Sequence, residues 1–166
     1  MPRMFKEFNL DALFEKVATG KIKGGANDFP KDKSEEYCIP LLTAGVENQG
    51  LSRYAKREDC SVILQNVISV SANGANTGVT FYQDKEFAVL QDAYALKLRD
   101  REMTEGIGLY LVSLINRALK GNYDWSNKAG WNNVKDRVIS LPIIKRVIPD
   151  YTVLQTVLGG GAYYYE

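Results

Sequence analysis

The chain contains no histidine. That absence removes Ser-His-Asp and Cys-His nucleophilic catalysis, HNH chemistry and histidine-ligated metals together, because each needs an imidazole that titrates near neutrality or binds as a neutral ligand. Cysteine is almost as scarce, with Cys38 and Cys60 standing alone and no Cys-x-x-Cys pair. Two thiols cannot complete a four-ligand zinc site. Both lie in apolar stretches, so they read as small buried hydrophobes rather than as a disulfide, which points to an intracellular protein. No apolar run approaches the about 18 residues of a membrane span, and the first residues, MPRMFKEF, lack a signal-peptide core. A soluble cytoplasmic protein is expected. Charge of one sign is also missing: 21 Lys and Arg face 20 Asp and Glu, a net charge of +1. Attraction to a polyanion must therefore be local.

What remains is 166 residues, 45% hydrophobic and 25% charged, the profile of one globular domain. Leu10, Leu13, Phe14 and Val17 follow helical spacing between Asn9 and Gly20, predicting a short amphipathic helix. Residues 21–36 are rich in Gly, Lys and Asp and contain Pro30, as a surface loop would be. A strand is predicted at 37–43. Residues 44–59, AGVENQGLSRYAKRED, are too polar for core. Further strands are expected within 60–71, 79–82, 86–90 and 94–98, from their β-branched content and alternation. Thr104 and Glu105 open the clearest helix, with Ile107, Leu111, Leu114, Ile115 and Ala118 on one side and a stop at Gly121 and Asn122. A loop with a short helix follows over 123–137, then an extended run at 138–144. Residues 151–166, with three glycines and YYYE, lack a clear period. Together these elements predict a mixed α/β fold: short helices on a twisted, mostly antiparallel or mixed sheet.

Chemistry is harder to place. Residues 71–78, SANGANTG, join two strand-like runs and combine glycines that permit close backbone approach with amides that offer paired donors and acceptors. The loop suits recognition of a polar edge, but Gly74 and Gly78 lack the Lys-Ser/Thr pair of a phosphate-binding loop. No lysine has an acidic residue two positions before it, so the (D/E)-x-K set of Mg-dependent nucleases is absent. No two prolines are adjacent, which excludes the Asn-Pro-Pro-Tyr type of adenine methyltransferase motif. No catalytic residue, metal or cofactor is expected. Tyr54, Tyr82, Tyr123 and Trp131 sit beside amides or cations, where they could serve a DNA or sugar surface or simply pack with polar rims. Residues 104–150 hold seven cations against four anions, so one face could be positive.

The order of these segments carries a resemblance. IPLLTAGVENQGLSRYA, then ISVSANGANTGVTFYQ, FAVLQDAYAL, the helix IGLYLVSLINRALK and NYDWSNKAGWNNVKDRVISLPI resemble the target recognition domain of type I restriction-modification specificity subunits and of BcgI-like fused enzymes. The resemblance spans roughly residues 10–144. It implies a module that reads one half of a bipartite DNA site and directs a methyltransferase and, in some systems, a translocating nuclease, without catalysis of its own. It places Asn73, Gly74 and Gly78 in a family-like glycine loop and Lys128 and Asn132 in a family-like Lys-x-x-x-Asn stretch. Residues 1–150 would form the recognition domain and 151–166 a tail or truncated spacer, where such subunits are similar to two domains joined by long helices. A fragment, a half-subunit that pairs with another and a stand-alone relative all remain open.

On that reading, base contacts fall to Asn48, Gln49, Arg53, Asn73, Asn76 and Thr77, because amides bond adenine N6 and N7 and Arg bonds guanine O6 and N7. Lys56, Lys128 and Arg57 would hold phosphates, Tyr54 and Tyr82 would be rim contacts, and Asn132 joins them through the family-like stretch. Two alternatives stay open. An acidic surface over the glycine loop would favour an anti-restriction-like interaction module, and a deep aromatic-lined pocket a small-ligand or carbohydrate binder.

Overall fold

The computed structural model describes residues 4–153. Its longest helix, α2 (Glu105–Leu119), starts where Thr104 accepts the Ile107 N–H on its hydroxyl at 3.4 Å, an N-cap. It ends where Gly121 turns left-handed and Asn122 returns its amide to the Ala118 carbonyl at 3.0 Å. Ile107, Leu111 and Ile115 on its inner stripe are buried.

That stripe lies on a four-stranded antiparallel sheet ordered β2 (Phe14–Lys16), β8 (Ala93–Leu98), β5 (Val67–Ser71), β6 (Thr80–Gln83). Every residue of β5 is buried, so the sheet must be covered on both faces. Ile68, Val70, Tyr82 and Leu96 meet α2 in the main core. Val67 and Ala95 face the other way, onto Leu42, Phe87 and Val89. Leu42 and Val89 belong to a second sheet, β4 (Leu51–Ala55), β3 (Ile39–Leu42) and β7 (Ala88–Val89), which Phe87 adjoins. A third sheet joins β1 (Phe5–Asn9), β9 (Val138–Ile144) and β10 (Ile148–Pro149), and α2 also touches β9. One-turn helices α1 (Leu10–Leu13) and α3 (Trp131–Val134) complete the mixed α/β fold expected from sequence.

The local corrections have physical causes. The helix predicted through Val17 stops after one turn at Leu13. Phe14 then pairs with Leu98 across β2 and β8, and the Val17 N–H reaches the Ala95 carbonyl at 2.9 Å, so sheet pairing overrides the helical spacing. Residues 44–59 contain the strand β4, which pairs with β3 and buries Ala55. The long run 60–71 breaks at Asn66, whose φ is +56°, and only its last five residues form a regular strand. Cys38 and Cys60 are free thiols, each half-buried beside the small cluster of Phe29, Ile39, Leu41, Ala55 and Ala88. Among the described residues no helix is long and apolar enough to cross a membrane. The tail expected from 151 onward lies outside the described residues beyond 153.

The edge strand β6 is closed by a side chain. Asn116 of α2 accepts the Thr80 N–H and donates to the Thr80 carbonyl, both at 2.9 Å, as a neighbouring strand would. Asn116→Ala leaves both backbone groups unpaired and is expected to cost about 1 to 2 kcal/mol. Urea denaturation should show a lower midpoint with an unchanged slope.

Candidate nucleic-acid interface

The loop of residues 71–78 leaves the end of β5 and returns into β6. At its base the Gly78 N–H bonds the Ser71 carbonyl at 2.7 Å, and Gly78 takes a φ of +93° that L side chains rarely adopt. An added Cβ there would stand 3.5 Å from that of Ala129. The contact shows what lies alongside: the segment from residue 122 to 132, some fifty positions later in sequence.

The two segments are fastened by buried polar groups. Thr77 accepts the Ala129 N–H on its hydroxyl at 2.9 Å, and the Tyr94 hydroxyl donates to the Ala129 carbonyl at 2.7 Å. Burial pushes the Tyr94 phenol far above its usual pKa, so it stays a protonated donor. Tyr123 donates to the Asn133 carbonyl at 2.8 Å and accepts from the Arg137 guanidinium at 3.0 Å. Lys128, next to the pinned Ala129, is exposed and has no ion-pair partner among the described residues. Asn132 is exposed on α3, and the half-buried Asn76 amide is likewise unengaged.

Two further loops reach the same end of the sheet. Residues 43–50 arrive through the Ser71 hydroxyl, which donates to the Ala44 carbonyl at 3.2 Å. Asn48 and Gln49 there are both left-handed, with φ of +50° and +59°. Strain of about 1 to 3 kcal/mol in such a residue persists only where its surroundings enforce it. The enforcing group is Gln83, buried in β6, which donates to the Gln49 carbonyl at 2.8 Å and to the Ser69 hydroxyl at 3.1 Å. The Asn48 amide donates to the Leu51 carbonyl at 2.9 Å. On the other side the Ala72 N–H bonds the Asp92 carbonyl at 2.9 Å, and the Asn73 amide donates to the Asp92 carboxylate at 3.3 Å.

The structure thus brings Asn73, Asn76 and Lys128 together at one end, with Asn132 four residues beyond Lys128; Asn48 and Gln49 arrive on the flanking loop, with Gln49 held over Gln83 and Ser69, and the remaining candidates lie elsewhere. Tyr82 is a correction: it is 2% exposed, packed against Gly108 of α2, with its hydroxyl on the Asn66 side chain at 3.0 Å, so it is core and not rim. Thr77 is another, since its buried hydroxyl positions the 122–132 segment and does not face outward. Lys56 and Arg57 follow the far end of β4, about 16 Å along the strand from Leu51. There Lys56 is paired with Glu36 at 2.8 Å, and Arg57 meets both oxygens of Glu86 at 3.2 Å. These ion pairs hold the Lys56 and Arg57 pKa values up and that of Glu86 down. Arg53 donates to the Phe29 carbonyl at 3.1 Å, and the Tyr54 N–H to that of Pro30 at 3.1 Å, which fastens residues 29–30 along β4.

A hollow of about 400 Å³ opens beside the glycine loop, lined among others by Asn76, Asn116, Lys120 and Tyr123. Its single aromatic ring is not the aromatic lining a sugar site would use. Two carboxylates bordering the loops are engaged, Asp92 with Asn73, and Asp124 with Ser126 and Asn127, whose hydrogen bonds hold the Asp124 carboxyl below its usual range, while Glu47 of the 43–50 loop is exposed. Sequence reasoning missed Trp125, an exposed indole whose ring edge lies 3.9 Å from where a Cβ on Gly74 would be. Among the described residues no cluster of acidic or sulfur ligands could hold a metal.

Comparison with known proteins finds the same fold. The S subunit of a type I restriction-modification system from M. genitalium superposes with a TM-score of 0.66 at 13% identity, over 97% of this chain and 40% of that one. The HsdS subunit from Thermoanaerobacter tengcongensis gives 0.59 at 13%, over 96% and 37%. A chain from a study of complex assembly and conformational transition in the type I R-M system gives 0.59 at 14%, over 99% and 40%. This chain therefore spans about two fifths of the length of the solved chains it matches. No curated protein matches it. Residues 2–154 match the family described as the type I restriction modification DNA specificity domain. The whole described structure falls within that match, and the chain belongs to this family of DNA specificity domains.

Proposed function

We propose that this domain reads one half of a bipartite duplex site through the edge formed by residues 71–78 and 122–132, flanked by residues 43–50. The reading is supported above all by one arrangement: two polar loops distant in sequence are locked side by side, the Ala129 N–H on Thr77 of the glycine loop and the Ala129 carbonyl on Tyr94 of β8, while Asn76, Lys128 and Asn132 stay unengaged at the surface. Rigid backbone beneath free amides is what base readout requires, since a bidentate amide-to-adenine pair tolerates little misplacement.

Asn76 is the leading base reader, with Gln49, Asn48 and Asn73 beside it, and Lys128 holds a phosphate. Arg53 and Tyr54 lie further along β4 and take secondary roles. Lys56 and Arg57 hold ion pairs at the far end and are left out of the edge. A chain of net charge +1 binds weakly by itself, so affinity comes from a second half-site and from the partner methyltransferase subunit. Such work belongs in the cytoplasm, beside chromosomal DNA.

Selection from randomised 30-base-pair duplexes, with and without the partner methyltransferase, tests this. The protein should enrich one short motif. Asn76→Ala should weaken binding to it by about 1 to 3 kcal/mol and relax one base pair, while Lys128→Ala should weaken all duplexes alike and lower the slope of log K against log salt by about 1. Unchanged preference in Asn76→Ala would place the reading surface elsewhere.

A further inference from the structure

Trp125 is 68% exposed, more than any other large hydrophobic side chain among the described residues. An indole left so far out of the core calls for an explanation, because aromatics usually bury most of their area. The other tryptophan behaves ordinarily: Trp131 is half-buried and meets Tyr94 edge-on, with ring centroids 6.4 Å apart.

The backbone that carries Trp125 is firmly set. Asp124 and Asn127 exchange both backbone hydrogen bonds, at 2.9 and 3.2 Å. One Asp124 carboxylate oxygen accepts from the Ser126 N–H, the Ser126 hydroxyl and the Asn127 N–H, at 2.8, 2.8 and 2.9 Å. The Asn127 amide ties the turn back to the Asn122 carbonyl at 3.0 Å. Nothing in this turn needs an aromatic ring at its second position. The ring edge nonetheless reaches the glycine loop, where a Cβ on Gly74 would stand in ordinary contact with it at 3.9 Å. A ring that is 68% exposed on a preset turn, beside the glycine loop and the unengaged side chains of Asn76 and Lys128, has the form of an apolar wedge for a base step.

We propose that Trp125 is a specificity-determining wedge: its indole inserts at one base-pair step of the bound half-site and favours a step that unstacks easily. The proposal rests on the reading edge inferred above. Pyrimidine–purine steps yield most readily, so preference arises there through deformability without a hydrogen bond to either base. The wedge would also bend the duplex locally while Asn76 reads its neighbour.

The test uses the full chain and the duplex it enriches, with 2-aminopurine placed at successive positions. The parent protein should raise emission at one pyrimidine–purine step. Trp125→Ala should abolish that rise, weaken binding at least tenfold and lose preference at that step alone, while keeping the thermal midpoint of the parent. Trp125→Phe should keep most of each effect. If the parent enriches a motif but Trp125→Ala binds it within twofold and with the same emission profile, the wedge is refuted while the reading edge stands. Loss of methyltransferase binding in Trp125→Ala with DNA binding intact refutes it too, making the indole a protein contact. If the parent enriches nothing, the reading edge itself fails, and the wedge with it.

Discussion

Replacing Gly108 by alanine is expected to lower the unfolding free energy by about 3 kcal/mol, although alanine is favoured over glycine in a helix by about 1 kcal/mol. The reason is contact. A Cβ at position 108 would press against the edge of the Tyr82 ring, far closer than van der Waals contact allows. That ring is buried and its hydroxyl is anchored on Asn66, so it cannot swing away; α2 would have to lift from the sheet. For a domain of this size the loss corresponds to a fall of about 6 to 12 °C in Tm, measurable by calorimetry. Adding Tyr82→Leu to Gly108→Ala should recover part of it, because the two positions share one space. A Gly108→Ala protein as stable as the parent would mean that α2 does not sit on β6 as described.

Thr77→Val is the second large effect, and it separates positioning from reading. Valine matches threonine in shape but leaves the buried Ala129 N–H without an acceptor, which costs about 2 kcal/mol. The segment that carries Lys128 should loosen, and binding should fall about tenfold on every duplex, with no change in the sequence preferred. Thr77→Ser keeps the hydroxyl and should bind like the parent. Competition binding against cognate and scrambled duplexes distinguishes the two outcomes. Relaxed preference at a single base pair in Thr77→Val would instead make Thr77 a reader.

The parts of the fold legible in the sequence are those whose signals are local. Thr104, the 3.6-residue period and Gly121 define α2 without outside help. The extended run expected at 138–144 coincides with β9. By contrast β1, FKEFN, is mostly exposed, and only its pairing with β9 makes it a strand. Leu10, Leu13 and Phe14 do point inward as their spacing suggests, yet one helical turn followed by a strand buries them as well as a helix would. The glycine-asparagine loop was visible from composition. Its neighbour was not, because the link from Thr77 to Ala129 spans 52 positions and joins a hydroxyl to a backbone N–H. Tyr82 looked like a rim residue because the space that takes its ring is created by a glycine in another element. Lys56 and Arg57 looked available because Glu36 and Glu86, their partners, lie 20 and 29 positions away.

Hydrogen exchange of the chain, alone and bound to its enriched duplex, tests the assignment of the reading edge most directly. Slowed exchange over 72–78 and 122–132, with 56–60 and 84–87 unchanged, is the predicted result. Protection confined to the Lys56 and Arg57 end, with the glycine loop exchanging as in the free protein, would contradict it.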